Sequence, residues 1–151
     1  MIQHPYLLFL GDAPDPLAAK VAQGIRDWRP EFALAQYRMD GCNADMKLPE
    51  MTLAEAHAAG ARTVVIGVAN RGGVISQKWK DVLHTALEQG FDLASGLHNL
   101  LRDEHDLVET ARLHGRTLHD VRVPSIQYPI ANGKKRSGKR LLAIGTDCSC
   151  G

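Results

Sequence analysis

Four short stretches of this sequence carry residue types that do chemistry: "LGDAPDP" at 10–16, "ANRGG" at 69–73, "SGLH" at 95–98 and "IGTDCSCG" at 144–151. The last has the composition of a phosphate-binding loop. A glycine-rich turn between a buried strand and a helix start gathers backbone N–H groups, and the helix dipole there favours negative charge. Glycines let the backbone approach the anion, and a following Lys-Ser/Thr supplies a point charge and a magnesium ligand. Here Gly145, Thr146, Asp147, Cys148, Ser149, Cys150 and Gly151 open such a loop after the apolar run Leu141–Ile144. Five residues stand between the two glycines, one more than in the simplest form of the motif, and the sequence ends where the lysine is expected. The plainer alternative is a small-residue turn at a sheet edge. Cys148 and Cys150 have no second pair or His-x-x-His nearby, so no metal site is expected there or elsewhere.

In open α/β sheets, ligands lie beyond the carboxyl ends of the strands, and the other three stretches fall there. Asp12 can contact an amine or hydroxyl, whereas Asp15, just before Pro16, is first of all a helix cap. Gly11 lacks the second and third glycines of a dinucleotide fingerprint, which argues against NAD. Arg71, in the loop Asn70-Arg71-Gly72-Gly73, can hold a carboxylate or phosphate through paired hydrogen bonds; the alternative is a solvated arginine on a surface turn. Ser95 and His98 can both face a cleft, with His98 as a base. No acid at triad spacing accompanies them, and a helix cap followed by a surface histidine is the simpler reading. Cys42 has no visible activating partner. Trp28 and Trp79 lie on apolar stripes and read as core or interface. No catalytic residue is assigned.

These loops need a scaffold. Short apolar runs alternate with helical patterns, which predicts an α/β fold, a Rossmann-like three-layer sandwich with a mainly parallel sheet. Strands are expected at 6–10, 32–37, 63–68 and 91–94, with weaker signals at 121–123 and a last one at 141–144. A first helix capped by Asp15 carries Leu17, Val21, Ile25 and Trp28. Thr52 and Glu55 have capping-box spacing ahead of Gly60. Ser76 caps a helix bearing Trp79, Leu83 and Leu87, and Leu107, Val108, Ala111 and Leu113 mark another. The basic stretch "ANGKKRSGKR" at 131–140 reads as a linker. A boundary near Asn132 therefore separates a domain at 1–132 from a linker, strand and truncated phosphate loop at 133–151.

The totals exclude several classes. A hydrophobic content of 44% and a charged content of 23% are those of an ordinary globular chain. The formal net charge of +1 gives no global field for nucleic acid or an anionic membrane. No apolar run approaches the ~20 residues of a membrane helix, and the N-terminus lacks a basic, secretory-type leader. Three cysteines without an export signal suit a reducing compartment. A cytoplasmic protein is expected.

Taken together, "LGDAPDPLAAK" (10–20), "GVANRGG" (67–73), "DLASGLH" (92–98) and "KKRSGKRLLAIGTDCSCG" (134–151) resemble one family across essentially the whole chain. It is the D-glutamate N-acetyltransferase family, whose members join a Rossmann-like N-terminal domain to a P-loop NTPase-like C-terminal domain. The resemblance implies transfer of acetyl from acetyl-CoA to the amine of D-glutamate, in bacterial D-amino-acid catabolism. It also implies that this chain is the front part of a larger enzyme, inactive alone, with the base in the downstream P-loop domain. A homo-oligomer is expected. The Gly-Thr-Asp opening is similar, over that stretch alone, to dethiobiotin synthetase, which implies an ATP- and magnesium-dependent kinase or ligase as the alternative. A third reading makes residues 1–132 a non-catalytic binding or dimerisation module.

Overall fold

The computed structural model describes residues 2–123, 126, 129, 133–135 and 137–139. The expected boundary at Asn132, the strand Leu141–Ile144 and the loop Gly145–Gly151 with Cys148 and Cys150 lie outside the described residues. Strand β1 (Tyr6–Gly11) pairs in parallel with β2 (Ala33–Arg38) on one side and β3 (Thr63–Ile66) on the other. Next come β4 (Asp92–Ser95) and β5 (Leu118–Asp120), giving the order β2-β1-β3-β4-β5 with every pair parallel. The apolar run in β1 is explained by its central place. Leu7, Leu8, Phe9 and Leu10 point alternately to two covered faces, and all are fully buried.

Among the described residues, four helices cover the sheet: α1 (Lys20–Trp28), α2 (Leu53–Ala58), α3 (Gln77–Glu88) and α4 (His105–Leu113). Right-handed crossovers send α1 to one face and the other three to the opposite face, because β1 to β2 runs against the direction of the later connections. This is the expected Rossmann-like sandwich. The caps read from the sequence are formed. Asp15 accepts from the Ala18 N–H at 2.8 Å, Thr52 and Glu55 close a capping box, and the Ser76 hydroxyl accepts from the Trp79 N–H at 3.3 Å.

Helix α1 departs from expectation. Leu17 and Trp28 are 76% and 83% exposed, while Ala19 and Ala22 are fully buried. The cause is a change of helical phase: Pro16–Ala19 form a 3-10 turn and the α-helix begins only at Lys20. The small residues, not the large ones, then face the sheet. Ala22 lies within the first turn, where an N–H has no partner inside the helix, and it donates to the Gly67 carbonyl at 2.9 Å. The Ala69 N–H donates in return to the Ala18 carbonyl at 2.7 Å. A Cβ added at Gly67 would lie 2.5 Å from the Ala22 Cβ, so the approach requires glycine.

The last strand also differs. Residues 121–123 form a turn, and β5 is Leu118–Asp120, in register with Leu93–Ser95. An edge strand that is only half buried needs no continuous apolar run, and the Asp120 carboxylate accepts the N–H groups of Leu101 and Arg102 at 2.7 and 3.2 Å. At the opposite edge, the Gln36 N–H donates to the Pro49 carbonyl at 2.9 Å and the Met51 N–H to the Gln36 carbonyl at 3.1 Å. The Gln36 side chain binds Asp45 and the Met46 N–H.

Between α3 and α4, Lys80 pairs with Glu104 and Asp106, and His84 binds Thr110 at 2.8 Å. Burial raises the Asp106 carboxyl, but hydrogen bonds from the Leu107 N–H, His84 and Lys80 outweigh it and hold the group below its ordinary value of 3.8. A depressed carboxyl stabilises the fold fully above its unfolded pKa and loses that contribution as pH falls through the folded value. Asp106→Asn is therefore expected to cost up to about 1 kcal/mol at pH 7 and progressively less as pH falls below the ordinary 3.8, in urea titrations across that range. Gly67→Ala is expected to cost about 1–3 kcal/mol by overpacking. Adding Ala22→Gly should recover part of that loss, which a double-mutant cycle measures directly.

Candidate functional site

Because β1 connects to one side and β3 to the other, the loops at their carboxyl ends diverge and leave a crevice, the topological switch point. Helix α1 starts on one side of it, and the loop after β3 forms the other. That loop is a tight construction. Gly72 and Gly73 have φ values of 82° and 63°, a backbone that glycine adopts without penalty. A Cβ at Gly73 would sit 2.6 Å from the His98 nitrogen, so the loops after β3 and β4 touch backbone to backbone. The Asn99 N–H donates to the Gly73 carbonyl at 2.9 Å.

These contacts shape a cleft of about 370 Å³. Lys20 enters from the first turn of α1, Asn70 and Gly73 from the loop after β3, Gly96 and His98 from the loop after β4, and Arg122 from the turn after β5. An Arg122 guanidinium nitrogen lies 3.5 Å from His98 Nε2. Among the described residues, no carboxylate lines the cleft. Two cationic side chains and an imidazole thus border the same cleft. Among the described residues that line it, no nucleophile–base pair is found. A second, apolar cavity of about 310 Å³ shares Gly96 with it and is walled by Tyr6, Ile25, Phe32 and Val65.

Of the residues singled out in the sequence, Asn70, Gly73 and His98 come together here. Asn70 does so as a staple: its side chain donates to the Val74 carbonyl at 2.7 Å and accepts from the Val74 N–H at 3.0 Å. Arg71 and Gly72 are exposed in the same turn, outside the residues that line the cleft. Ser95 ends β4, is 2% exposed and accepts the Leu97 N–H at 3.1 Å, closing a turn and not a helix. Asp12 lies elsewhere, accepting from the Trp79 indole N–H at 2.8 Å. That contact depends on Gly11, whose added Cβ would meet the Trp79 ring at 2.7 Å. Trp79 is buried core, as expected, whereas Trp28 is exposed in this chain.

Sequence reasoning missed Lys20 and Arg122. For Lys20 a signal existed. A cation in the first turn of a helix opposes the dipole, so such a residue asks for a reason beyond helix stability. Arg122 was hidden by the misplaced last strand. Among the described residues, no group of three or more His, Cys, Asp or Glu can hold a metal, and no helix is long and apolar enough to cross a membrane.

Comparison with known proteins adds the following. Residues 37–124 match the model of a "domain of unknown function (DUF1611_N) Rossmann-like domain". A D-glutamate N-acetyltransferase of Tritonibacter scottomollicae is 73% identical over all of this chain, and one of a Pseudoalteromonas species is 43% identical over 99% of it. The chain spans 45% of the length of each of these relatives. The crystal structure of a DUF1611 family protein from Anabaena variabilis superposes with a TM-score of 0.69 at 22% identity, over 86% of this chain and 40% of that one. A homoserine dehydrogenase of S. aureus shares the fold at a TM-score of 0.50 and 14% identity, over 76% of this chain and 31% of that one.

The loop geometry is testable without a ligand. Gly73→Ala is expected to destabilise the domain by about 1–3 kcal/mol, through the positive φ and the clash with His98. Asn70→Ala, which strips two partners from Val74, should cost about 1–2 kcal/mol. Chemical denaturation of both variants checks the pair, and wild-type stability in either would overturn this account of the loop.

Proposed function

The chain belongs to the DUF1611 family of Rossmann-like N-terminal domains, and on that premise we propose that it is the N-terminal part of an N-acetyltransferase that moves acetyl from acetyl-CoA to the amino group of D-glutamate. The observation that carries this reading is the whole-chain match, at 73% and 43% identity, to two proteins of that name. In the reaction, the amine nitrogen attacks the thioester carbonyl, the C–S bond breaks and coenzyme A leaves as the thiol. The amine must first lose a proton to a base, and the oxyanion of the tetrahedral intermediate needs hydrogen-bond donors. The cleft offers cations for binding, while the base belongs to the downstream P-loop-like domain. The loop Gly145–Gly151 opens that domain and holds phosphates of the coenzyme. The enzyme works in the cytoplasm as a homo-oligomer.

The assay is thiol release from acetyl-CoA by the full-length protein, with and without D-glutamate. D-glutamate-dependent release, with N-acetyl-D-glutamate as product and no requirement for ATP or magnesium, is the expected result. ATP consumption without acetyl transfer would replace this reading by the kinase or ligase one. The isolated 151-residue chain should show no transfer.

A further inference from the structure

We propose that the outer face of α1, with the apolar cavity beside it, is the surface on which a second copy of this chain docks. It names the contact of the homo-oligomer proposed above and does not depend on the acetyl-transfer chemistry. A helix lying on a sheet normally turns its large apolar side chains inward. Here Ala19 and Ala22 are buried, while Leu17 and Trp28 are 76% and 83% exposed. Val21, Ile25 and Trp28 follow one another at spacings of four and three, so they form one stripe along the helix. Val21 and Ile25 also border the cavity of about 310 Å³, whose lining continues over Val65, Ala94 and Val121. Arg29, at the same cavity, is already held by Glu31 at 2.7 Å and lies over the Phe32 ring.

Shape and area identify the partner. The stripe carries a projection and a recess side by side, since the exposed Trp28 stands within two turns of the residues that border the cavity. Two copies related by a twofold axis present the same patch to each other, so that residue i meets j while j meets i. Each Trp28 then enters the cavity of the other copy, and a tryptophan in an apolar pocket is a typical interface anchor. Gly24 lies between Val21 and Trp28 on this face. A Cβ added there would meet nothing within 4 Å among the described residues. Nothing inside the chain therefore asks for glycine at a helix-interior position that disfavours it, whereas a partner backbone crossing the stripe does. Leu17, Val21, Trp28 and Val121 expose on the order of 500 Å² of apolar side chain. That matches the apolar share of the ~800 Å² that each partner buries in a standard interface.

The test is sedimentation velocity of the full-length protein across a range of concentrations, without substrate. Wild type is compared with Trp28→Glu, Gly24→Leu and, as a control at an exposed apolar residue of α4, Leu113→Glu. Wild type is expected to sediment as a dimer or a multiple of one. Trp28→Glu and Gly24→Leu should raise the dissociation constant about thirtyfold or more, the loss of one interface anchor. Leu113→Glu should leave it unchanged, and all three should keep the wild-type circular dichroism spectrum. Trp28 emission, taken as wild type minus Trp28→Phe, should shift to the red as the protein is diluted through dissociation. An oligomer that neither α1 variant weakens would overturn this surface and leave the homo-oligomer standing. A monomer at every concentration would overturn both. Blue-shifted Trp28 emission that does not change on dilution would assign the stripe to the downstream part of the same chain instead. Acetyl transfer is read in its own assay, so its failure leaves the association result intact.

Discussion

At the end of β3 the backbone of Gly67–Ala69 runs into the break between the 3-10 turn and α1, and two hydrogen bonds cross there in opposite directions. Ala22 donates to Gly67, and Ala69 donates to Ala18. A helix normally rides on a sheet with large side chains between them, at a separation that keeps the two backbones from pairing. Here a methyl group faces a hydrogen atom. The start of α1 is thereby tied to the same segment that carries the loop after β3, and Lys20 is placed opposite Asn70 and Gly73 by main-chain bonds. The cleft inherits its shape from this joint.

Glycine is used in two distinct ways around it. At Gly67 the backbone is ordinary and the requirement is space, since Ala22 fills the position a side chain would take. At Gly73 both constraints act together, a positive φ and the His98 backbone close by. Gly11 combines the same pair on the far side of the sheet, where it admits the Trp79 ring and lets the indole hold Asp12. Polar side chains near the strand ends, Asn70, Ser95 and Asp12 among them, bind the protein's own groups.

Much of the architecture was legible because it is written locally. Caps at Asp15, Thr52 and Ser76 depend on neighbours within four residues, and the apolar runs of β1 and β3 reflect burial on both faces. The loops at the strand ends followed from chain order alone, which is why Asn70, Gly73 and His98 were found. What escaped depends on contacts distant in sequence. The phase of α1 is decided by Gly67, more than 40 positions after the helix starts, and no periodicity within the helix reports it. Strand β5 carries His119 and Asp120 in place of an apolar run, since its register is set by β4 and by the backbone groups that Asp120 caps. Asn70 was legible as a loop residue but not as a staple, because the pattern of a ligand-binding asparagine and of a self-bonded one is the same.

The segment Pro49–Met51 beside β2 bears on how such a domain behaves among its copies. An edge strand with free N–H and C=O groups is a template for any other strand in solution. At Gln36 both backbone groups are already taken by Pro49 and Met51, and the side chain anchors the approaching loop through Asp45 and Met46. At this residue of the edge strand, the chain's own turn occupies the place a neighbouring strand would take. A neighbour could add there only by first peeling that turn away, so association in a crowded solution is steered away from runaway strand addition at this edge.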